Sequence, residues 1–469
     1  MRFRRILIAN RGEIAIRIAN AANALGIKTL AIYSQDDINS LHIKIADEAQ
    51  MLDGIGVPAY LNAENILEIA NSNNCDAIHP GYGFLAENAK FAEICQSGGI
   101  TFIGPNIEHL ELFGNKNVAK QAAIDAGVPV IQGIDRGATF EEVVEFFDFL
   151  PENKGIMLKA VAGGGGRGSR AVLKREELER SFRRCKSEAR RSFGNDDIYV
   201  EEFLPRTRHI EVQIVGDSDG EIIHLWDREC SVQRRFQKLV EIAPAPNLSE
   251  EIRTQIINSA MCLAKSVGYS NIGTFEFLVP SDRSTEEKPF VFIEANARLQ
   301  VEHTVTEEVT GIDIVQTQIQ IAEGATISDL DIRNNSKQPP VGFAIQTRVN
   351  METLTSAGNV RPSSGELEVY DPPIGTGVRI DGCGYTTYTT NTSFDSLLAK
   401  LIVHSDSDQF SQVIKKSLRA LSEFRIEGVL TNISFLRNVL LHEDFYNGRI
   451  HTTWVDENMA SLADSSNNS

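Results

Sequence analysis

The sequence predicts an α/β chain with α+β character beyond its first domain, on three observations. Short apolar strand patterns alternate with amphipathic helix patterns over residues 5–79. A glycine-rich loop lies between two apolar strand patterns over residues 155–173, and two further strand patterns, residues 273–279 and 292–297, each hold a carboxylate inside an apolar run. The first pattern specifies a parallel sheet covered by helices. The others point to phosphate and to a hard cation held by oxygen.

Taken in order, strands are expected at 5–9, 29–33 and 77–79 and helices at 13–25 and 63–71. The first strand-to-helix turn, Ala9-Asn-Arg-Gly-Glu13, has one glycine where a dinucleotide fingerprint has three, so the layer should be Rossmann-like without a standard NAD site. A second unit opens at Gly114 with a helix through Lys120 and Gln121, a break at Gly127-Val-Pro129, a charged helix over 140–150 and a strand over 155–160. The loop Gly163-Gly-Gly-Gly-Arg-Gly168 follows, then a returning strand over 171–173. A loop stripped of Cβ atoms lets backbone N–H groups close over phosphates, the alternative being a flexible linker. No Gly-Lys-Ser/Thr follows it, which excludes a Walker A loop. A third unit starts near Gln338-Pro-Pro340, with short strands, turns at Pro372-Pro373 and Asp381-Gly382, and helices over 410–424 and 432–441; the polar end, 461–469, reads as disordered.

A chain of 469 residues has room for roughly three such units. Its 46 basic and 64 acidic residues, formal charge -18, argue against a broad nucleic-acid or anionic-lipid surface, so anionic ligands must be caught by local cations. No apolar stretch approaches the ~20 residues of a membrane span. The six cysteines are scattered with no Cys-x-x-Cys pair, so neither a zinc site nor a disulfide framework is expected, and a cytoplasmic setting is the simplest. The basic start, Met1-Arg-Phe-Arg-Arg5, precedes an apolar run too short for a signal peptide.

The densest chemistry lies in Phe292-Ile-Glu-Ala-Asn-Ala-Arg-Leu-Gln-Val-Glu-His303. On a strand, Glu294 and Asn296 share one face while Ile293 and Ala295 point into a packed layer. Carboxylate and amide oxygens side by side suit Mg²⁺, and Glu276, sharing a face with Thr274 and Leu278, adds a second carboxylate. The alternative for either glutamate is an edge-strand charge in water. Lys116, Lys159 and Lys238 are too far apart for spacing to show whether they converge.

Six stretches in order, Ala9-Asn-Arg-Gly-Glu-Ile-Ala15, His79-Pro-Gly-Tyr-Gly-Phe-Leu-Ala-Glu-Asn88, Lys159 with Gly163 to Gly168, Gln233-Arg-Arg235 with Lys238, Glu276, and Glu294 to Glu308, resemble biotin carboxylase, an ATP-grasp enzyme. The resemblance runs from about residue 2 to about 450 and implies an ATP-grasp fold. It implies a Rossmann-like N-terminal domain (1–113), an ATP-grasp domain (114–334) with a mobile lid at about 132–203, a biotin carboxylase C-terminal domain (335–450), and a polar tail or linker (451–469). By the same resemblance, Lys116, Lys159 and Gly163, Gly164, Gly165, Gly166 and Gly168 bind ATP phosphates. Glu201 holds the adenine end, and His209 and Gln233 reach the ribose and phosphate region. Glu276, Glu294 and Asn296 hold two Mg²⁺ ions, with Mn²⁺ an alternative. Lys238, Arg298, Gln300 and the Val301 backbone fix bicarbonate, Glu302 is the base, and Arg348 binds the ureido oxygen of biotin.

The implied reaction is ATP- and bicarbonate-dependent carboxylation of biotin through carboxyphosphate. No methionine is followed by lysine, so the biotin is expected on a carrier protein or domain, with a carboxyltransferase as further partner and a homodimer implied by the family. Ala295, Ala297, Thr304 and Gln346-Thr347 look more like fused acyl-CoA carboxylases, and hence fatty acid metabolism, than the free-standing bacterial subunit. Phe236 stands where the family usually has histidine, which predicts either weaker ATP binding or a neutral packing swap. Two other functions fit the fold: an ATP-grasp carboxylate-amine ligase, for which Arg298, Glu302 and Arg348 have no obvious task, and a non-catalytic nucleotide-binding regulator, which would have lost Glu276, Glu294, Lys238 or Glu302.

Overall fold

The computed structural model describes residues 2–134, 136–151, 154–161, 169–281, 289–334 and 337–464. The glycines at 163–168 therefore lie outside the described residues.

The expected Rossmann-like layer is a parallel five-stranded sheet in the spatial order Glu48–Met51, Lys28–Tyr33, Arg5–Ile8, Ala77–His79, Thr101–Phe102. Chain order reverses direction between Arg5–Ile8 and Ala77–His79, which makes the crevice beyond their carboxyl ends the natural ligand site of such a sheet. Asn10 closes its floor by donating its side-chain amide to the carbonyls of Pro80 (2.7 Å) and Tyr82 (2.8 Å). Gly12, which opens the helix Gly12–Ala24, has φ of 64°, a left-handed conformation that glycine adopts without strain.

A second, antiparallel sheet organises the rest. Its order is Val291–Asn296, Asn271–Pro280, Thr207–Gly216, Ile222–Arg234, Gln237–Ala243, Phe343–Asn350, Leu397–Ser405, Val378–Gly382. It joins strands that lie on either side of the domain boundary the sequence suggested: Val240 pairs with Thr347 and Glu241 with Gln346. One end packs on the helix Glu250–Ser266 through Val212, Ile256 and Phe275; the other packs on Phe410–Glu423 and Ile433–Leu441 through Val349, Leu401 and Leu436.

A four-stranded sheet, ordered Gly133–Ile134, Ile198–Phe203, Gly155–Ala160, Ser169–Val172, forms a separate layer with the helices Phe140–Phe149 and Leu178–Phe193. Val143, Leu158, Phe182 and Val200 give it a core of its own. The glycine-rich segment falls in the chain between its strands Gly155–Ala160 and Ser169–Val172.

Two readings need correction. Residues 451–464 are not a free polar tail: Trp454–Glu457 and Met459–Leu462 are short helices, and Trp454, Val455, Met459 and Leu462 are buried in the C-terminal core. Large apolar side chains recurring at helical spacing outweigh the polar residues among them. The strand holding Glu294 does not alternate evenly either. Glu276 pairs with Glu294 but Phe277 with Phe292, so Ile293 is the extra residue of a β-bulge. Ile293 lines the cleft instead of the packed layer, while Phe292 and Ala295 enter the core.

Candidate active site

Every candidate residue within the described part of the chain lines one cleft of about 1110 Å³. The long sheet forms its floor, the Asn10 crevice one wall, and the four-stranded layer, through Met157, Lys159 and Glu201, its roof.

Strand register explains the convergence. Glu294, Glu276, Glu211 and Arg228 are successive partners across four strands, and Gln233 sits opposite Lys238. Three neighbouring carboxylates repel one another unless cations intervene. Lys238 Nζ supplies that charge, donating to Glu211 (2.7 Å), Glu276 (3.2 Å) and Glu302 (2.5 Å). His209 Nε2 lies 2.9 Å from Glu276, and its Nδ1 lies 3.0 Å from the Gln233 amide. Arg228, fully buried, pairs with Glu211 and donates to Gln213 (2.9 Å) and to the hydroxyls of Thr306 and Thr274 (both 3.0 Å).

The turn after Asn296 extends the network. Asn296 donates to Glu276 (2.9 Å) and accepts from Arg298 (3.1 Å); Arg298 also donates to Gln300 (2.8 Å) and pairs with Glu87 (3.0 Å). Glu302 ends the turn with 1% exposure, its carboxylate shared between Lys238 and Arg348, the latter at 3.0 Å. Arg348 is in turn held by Glu241 (2.6 Å to Nε), which also accepts from Gln346 (2.8 Å).

Burial alone would raise the Glu302 carboxyl, but Lys238, Arg348 and Arg228 outweigh it and hold it well below the ordinary carboxylate range. Glu276 is lowered in the same way: burial opposes, Lys238 and His209 prevail. Burial would likewise neutralise Lys238, yet Glu211, Glu276 and Glu302 keep its ammonium protonated far above the usual range. For Glu241, burial prevails over Arg348, and its carboxyl is raised. Two carboxylates flanking one guanidinium thus differ sharply in acidity.

Beneath the roof of the cleft, Lys159 donates to Glu201 (2.5 Å), and Lys116, first residue of the helix Lys116–Asp125, lies 3.4 Å from Glu294. Glu294 and Glu276 offer oxygen ligands on adjacent strands, and the Glu294 side chain is 40% exposed to the cleft; that donor set fits a hard divalent cation. Phe236 does not replace a packed histidine. With Arg235 it forms a two-residue hairpin turn between Arg234 and Gln237, and its ring is 56% exposed at the cleft edge, so it fills no core volume.

Glu211, Arg228, Glu241 and Glu87 were not anticipated. The rule that singled out Glu276, a carboxylate inside an apolar strand, applies equally to Glu211 in Ile210-Glu-Val212 and to Glu241 in Val240-Glu-Ile242. Arg228 and Glu87 carry no comparable local signal.

Comparison with known proteins gives the same picture over the whole chain. Residues 2–110 match the biotin carboxylase N-terminal domain, 115–330 the ATP-binding domain of the carbamoyl-phosphate synthase L chain, and 346–457 the biotin carboxylase C-terminal domain. The biotin carboxylase domain of Hydrogenobacter thermophilus 2-oxoglutarate carboxylase superposes with a TM-score of 0.91 at 40% identity, over 98% of this chain and 99% of that one. The chain belongs to the biotin carboxylase family. Biotin carboxylase ligase activity comes with that membership. Biotin carboxylase of Campylobacter jejuni is similar too, with a TM-score of 0.90 at 39% identity over 97% of this chain and 99% of that one. Pyruvate carboxylase of Bacillus subtilis is 46% identical over 96% of this chain and 39% of its own length, and the mitochondrial human enzyme 47% over 97% and 38%. The chain spans about two fifths of the length of these curated relatives. The H. thermophilus domain was solved as a dimer with MgADP, ADP and bicarbonate, and the C. jejuni protein with an ATP ligand.

Proposed function

We propose that this chain carboxylates biotin by activating bicarbonate with ATP, and that the residues gathered in the cleft divide that work. The observation that carries the reading is Glu302, gripped by Lys238 at 2.5 Å and Arg348 at 3.0 Å, where the phosphate-side and biotin-side groups meet.

Bicarbonate is a poor nucleophile and ATP is densely negative, so attack on the γ-phosphate needs cations and an in-line geometry. Lys116, Lys159 and the 163–168 loop neutralise and orient the phosphates. Glu276 and Glu294, with Asn296, would hold Mg²⁺, which when bound adds positive charge against the phosphates. Bicarbonate enters among Lys238, Arg298, Gln300 and the Val301 backbone and draws on the same cations that hold Glu302. Sharing them loosens their grip on the Glu302 carboxylate and raises its basicity, so Glu302 takes the bicarbonate proton as the oxygen attacks phosphorus. A phosphorus–oxygen bond to bicarbonate forms, the bond to ADP breaks, and carboxyphosphate results.

Carboxyphosphate separates into CO₂ and phosphate, phosphate takes the N1 proton of biotin, and N1 attacks CO₂. Arg348, oriented by Glu241, stabilises the negative charge on the ureido oxygen. The four-stranded layer, which roofs the cleft through Met157, Lys159 and Glu201, acts as the lid that excludes water from the intermediate.

The pyruvate carboxylase relatives favour a 2-oxo acid as final acceptor over the acyl-CoA expected from residue choices in the signature run. The acceptor would be served by a carboxyltransferase, with biotin brought on a carrier. A second copy of the chain completes a dimer, as in the H. thermophilus domain. Six free cysteines support a reducing compartment such as the cytoplasm, and no helix among the described residues is long and apolar enough to cross a membrane.

The test is ATP hydrolysis with Mg²⁺, measured with and without bicarbonate and free biotin. The reading requires dependence on bicarbonate and stimulation by biotin; hydrolysis indifferent to both would refute it.

A further inference from the structure

Lys400 is fully buried, with 0% exposure, although lysine is among the residues least often buried. Its place in the sheet is specific. Lys400 lies directly opposite Arg348 on one side and Asp381 on the other, so the three form one row across adjacent strands. Its ammonium reaches out of that row to two other parts of the molecule. It donates to the Val301 carbonyl (3.2 Å) and pairs with Glu13 (3.0 Å), with Asp381 further off at 3.9 Å. Glu13 lies in the first turn of the helix Gly12–Ala24, and its other oxygen accepts from the Tyr82 hydroxyl.

We infer that Lys400 is a positioning residue for the bicarbonate turn, holding the Val301–Glu302 peptide at the junction of the two large sheets. The Val301 carbonyl belongs to the peptide that leads into Glu302. Lys238 and Arg348 fix the head of Glu302, and Lys400 fixes its backbone. Without that anchor the 300–302 turn is free to rock by rotation of this peptide, and both the bicarbonate contacts and the base move together. The nucleotide groups Lys116, Lys159 and Glu294 stand on other elements and keep their places. Glu13 and Asp381 are the acidic partners that allow this side chain to remain buried, because a lone buried cation is strongly disfavoured.

This inference rests on the proposed use of bicarbonate, and the two are separable by experiment. In the 469-residue chain, bicarbonate-dependent ATP cleavage is compared for the native protein, Lys400→Met, Lys400→Arg and Glu13→Gln. Lys400→Met is expected to raise KM for bicarbonate about 10-fold, with KM for ATP within about twofold, because an ångström of misplacement carries large rate costs. Lys400→Arg, which keeps a cation at the site, should recover part of the loss. An unchanged bicarbonate KM, or equal shifts for bicarbonate and ATP, overturns the inference. Should Lys400→Met fail to fold, Glu13→Gln decides: a rise in bicarbonate KM with ATP unaffected supports the anchor, and no rise overturns it. A native chain that cleaves ATP without needing bicarbonate overturns the functional reading and the inference together.

Discussion

Glu302 shows how far a single side chain can be read in advance. Its identity as a candidate base came from the resemblance; its environment came only from the fold. Lys238, Arg348 and Arg228 lie on strands separated from it by 46 or more positions in sequence, and no local pattern announces that they converge on one carboxylate. Removing the base while keeping the shape, Glu302→Gln, should lower turnover at least about 100-fold, the ordinary contribution of a general base. Binding of ATP, measured by calorimetry, should change little, since Lys116, Lys159 and Glu294 stand on other elements; retained turnover would remove it as the base. Ile293 is the opposite case. Strict alternation sent it into the core, and one bulge, invisible in a pattern of period two, turned it into the cleft.

The hairpin joining Ile222–Arg234 to Gln237–Ala243 is the element most at odds with its own sequence. Arg235 (φ 47°) and Phe236 (φ 66°) are both left-handed, a conformation suited to glycine or asparagine and costly for a bulky side chain. Replacing Phe236 by glycine should therefore stabilise the protein by about 1 kcal/mol, read as a higher midpoint of denaturation. Phe236→His restores a donor at the cleft edge and should tighten ATP binding; no tightening would mean that the lost histidine did not matter to the nucleotide. Other elements were legible because period and length agreed: Ala77–His79 and Gly155–Ala160 have the expected bounds, and most helices differ by one or two residues at their ends. The C-terminal helices escaped because their few apolar residues are spaced among serines and asparagines, and only the core they cover shows their worth.

At the scale of the whole molecule, the sequence displayed three units but not the single antiparallel sheet that joins two of them. Pairing between Gln237–Ala243 and Phe343–Asn350 spans about a hundred residues, and nonlocal pairing of that kind leaves no local trace. Its consequence is electrostatic: one sheet carries Lys238, Glu241, Glu276 and Arg348, so the charge network is also a fold-wide contact. Glu276 and Glu302 are held below the ordinary carboxylate value near 4.5, so their contribution to stability is complete above that value and is lost as pH falls through their lowered folded values. Lys238, raised above 10.5, contributes below that value and ceases to do so only as pH rises through its folded value. Glu241, raised by burial, runs the other way and offsets part of the acid loss. Thermal unfolding followed from pH 7 down to pH 3 should show a decline beginning near pH 4.5 that is shallower in Glu302→Gln. Identical slopes would mean that Glu302 is not the ionised, cation-held group described.

The central claim, that bicarbonate itself attacks ATP in this cleft, is tested most directly with oxygen isotopes. Turnover in ¹⁸O-labelled bicarbonate, with Mg²⁺ and biotin in unlabelled water, should deliver one labelled oxygen to each phosphate released, because the bridging oxygen of carboxyphosphate leaves with phosphorus. Phosphate carrying no label would contradict the account, since water and not bicarbonate would then have been the nucleophile.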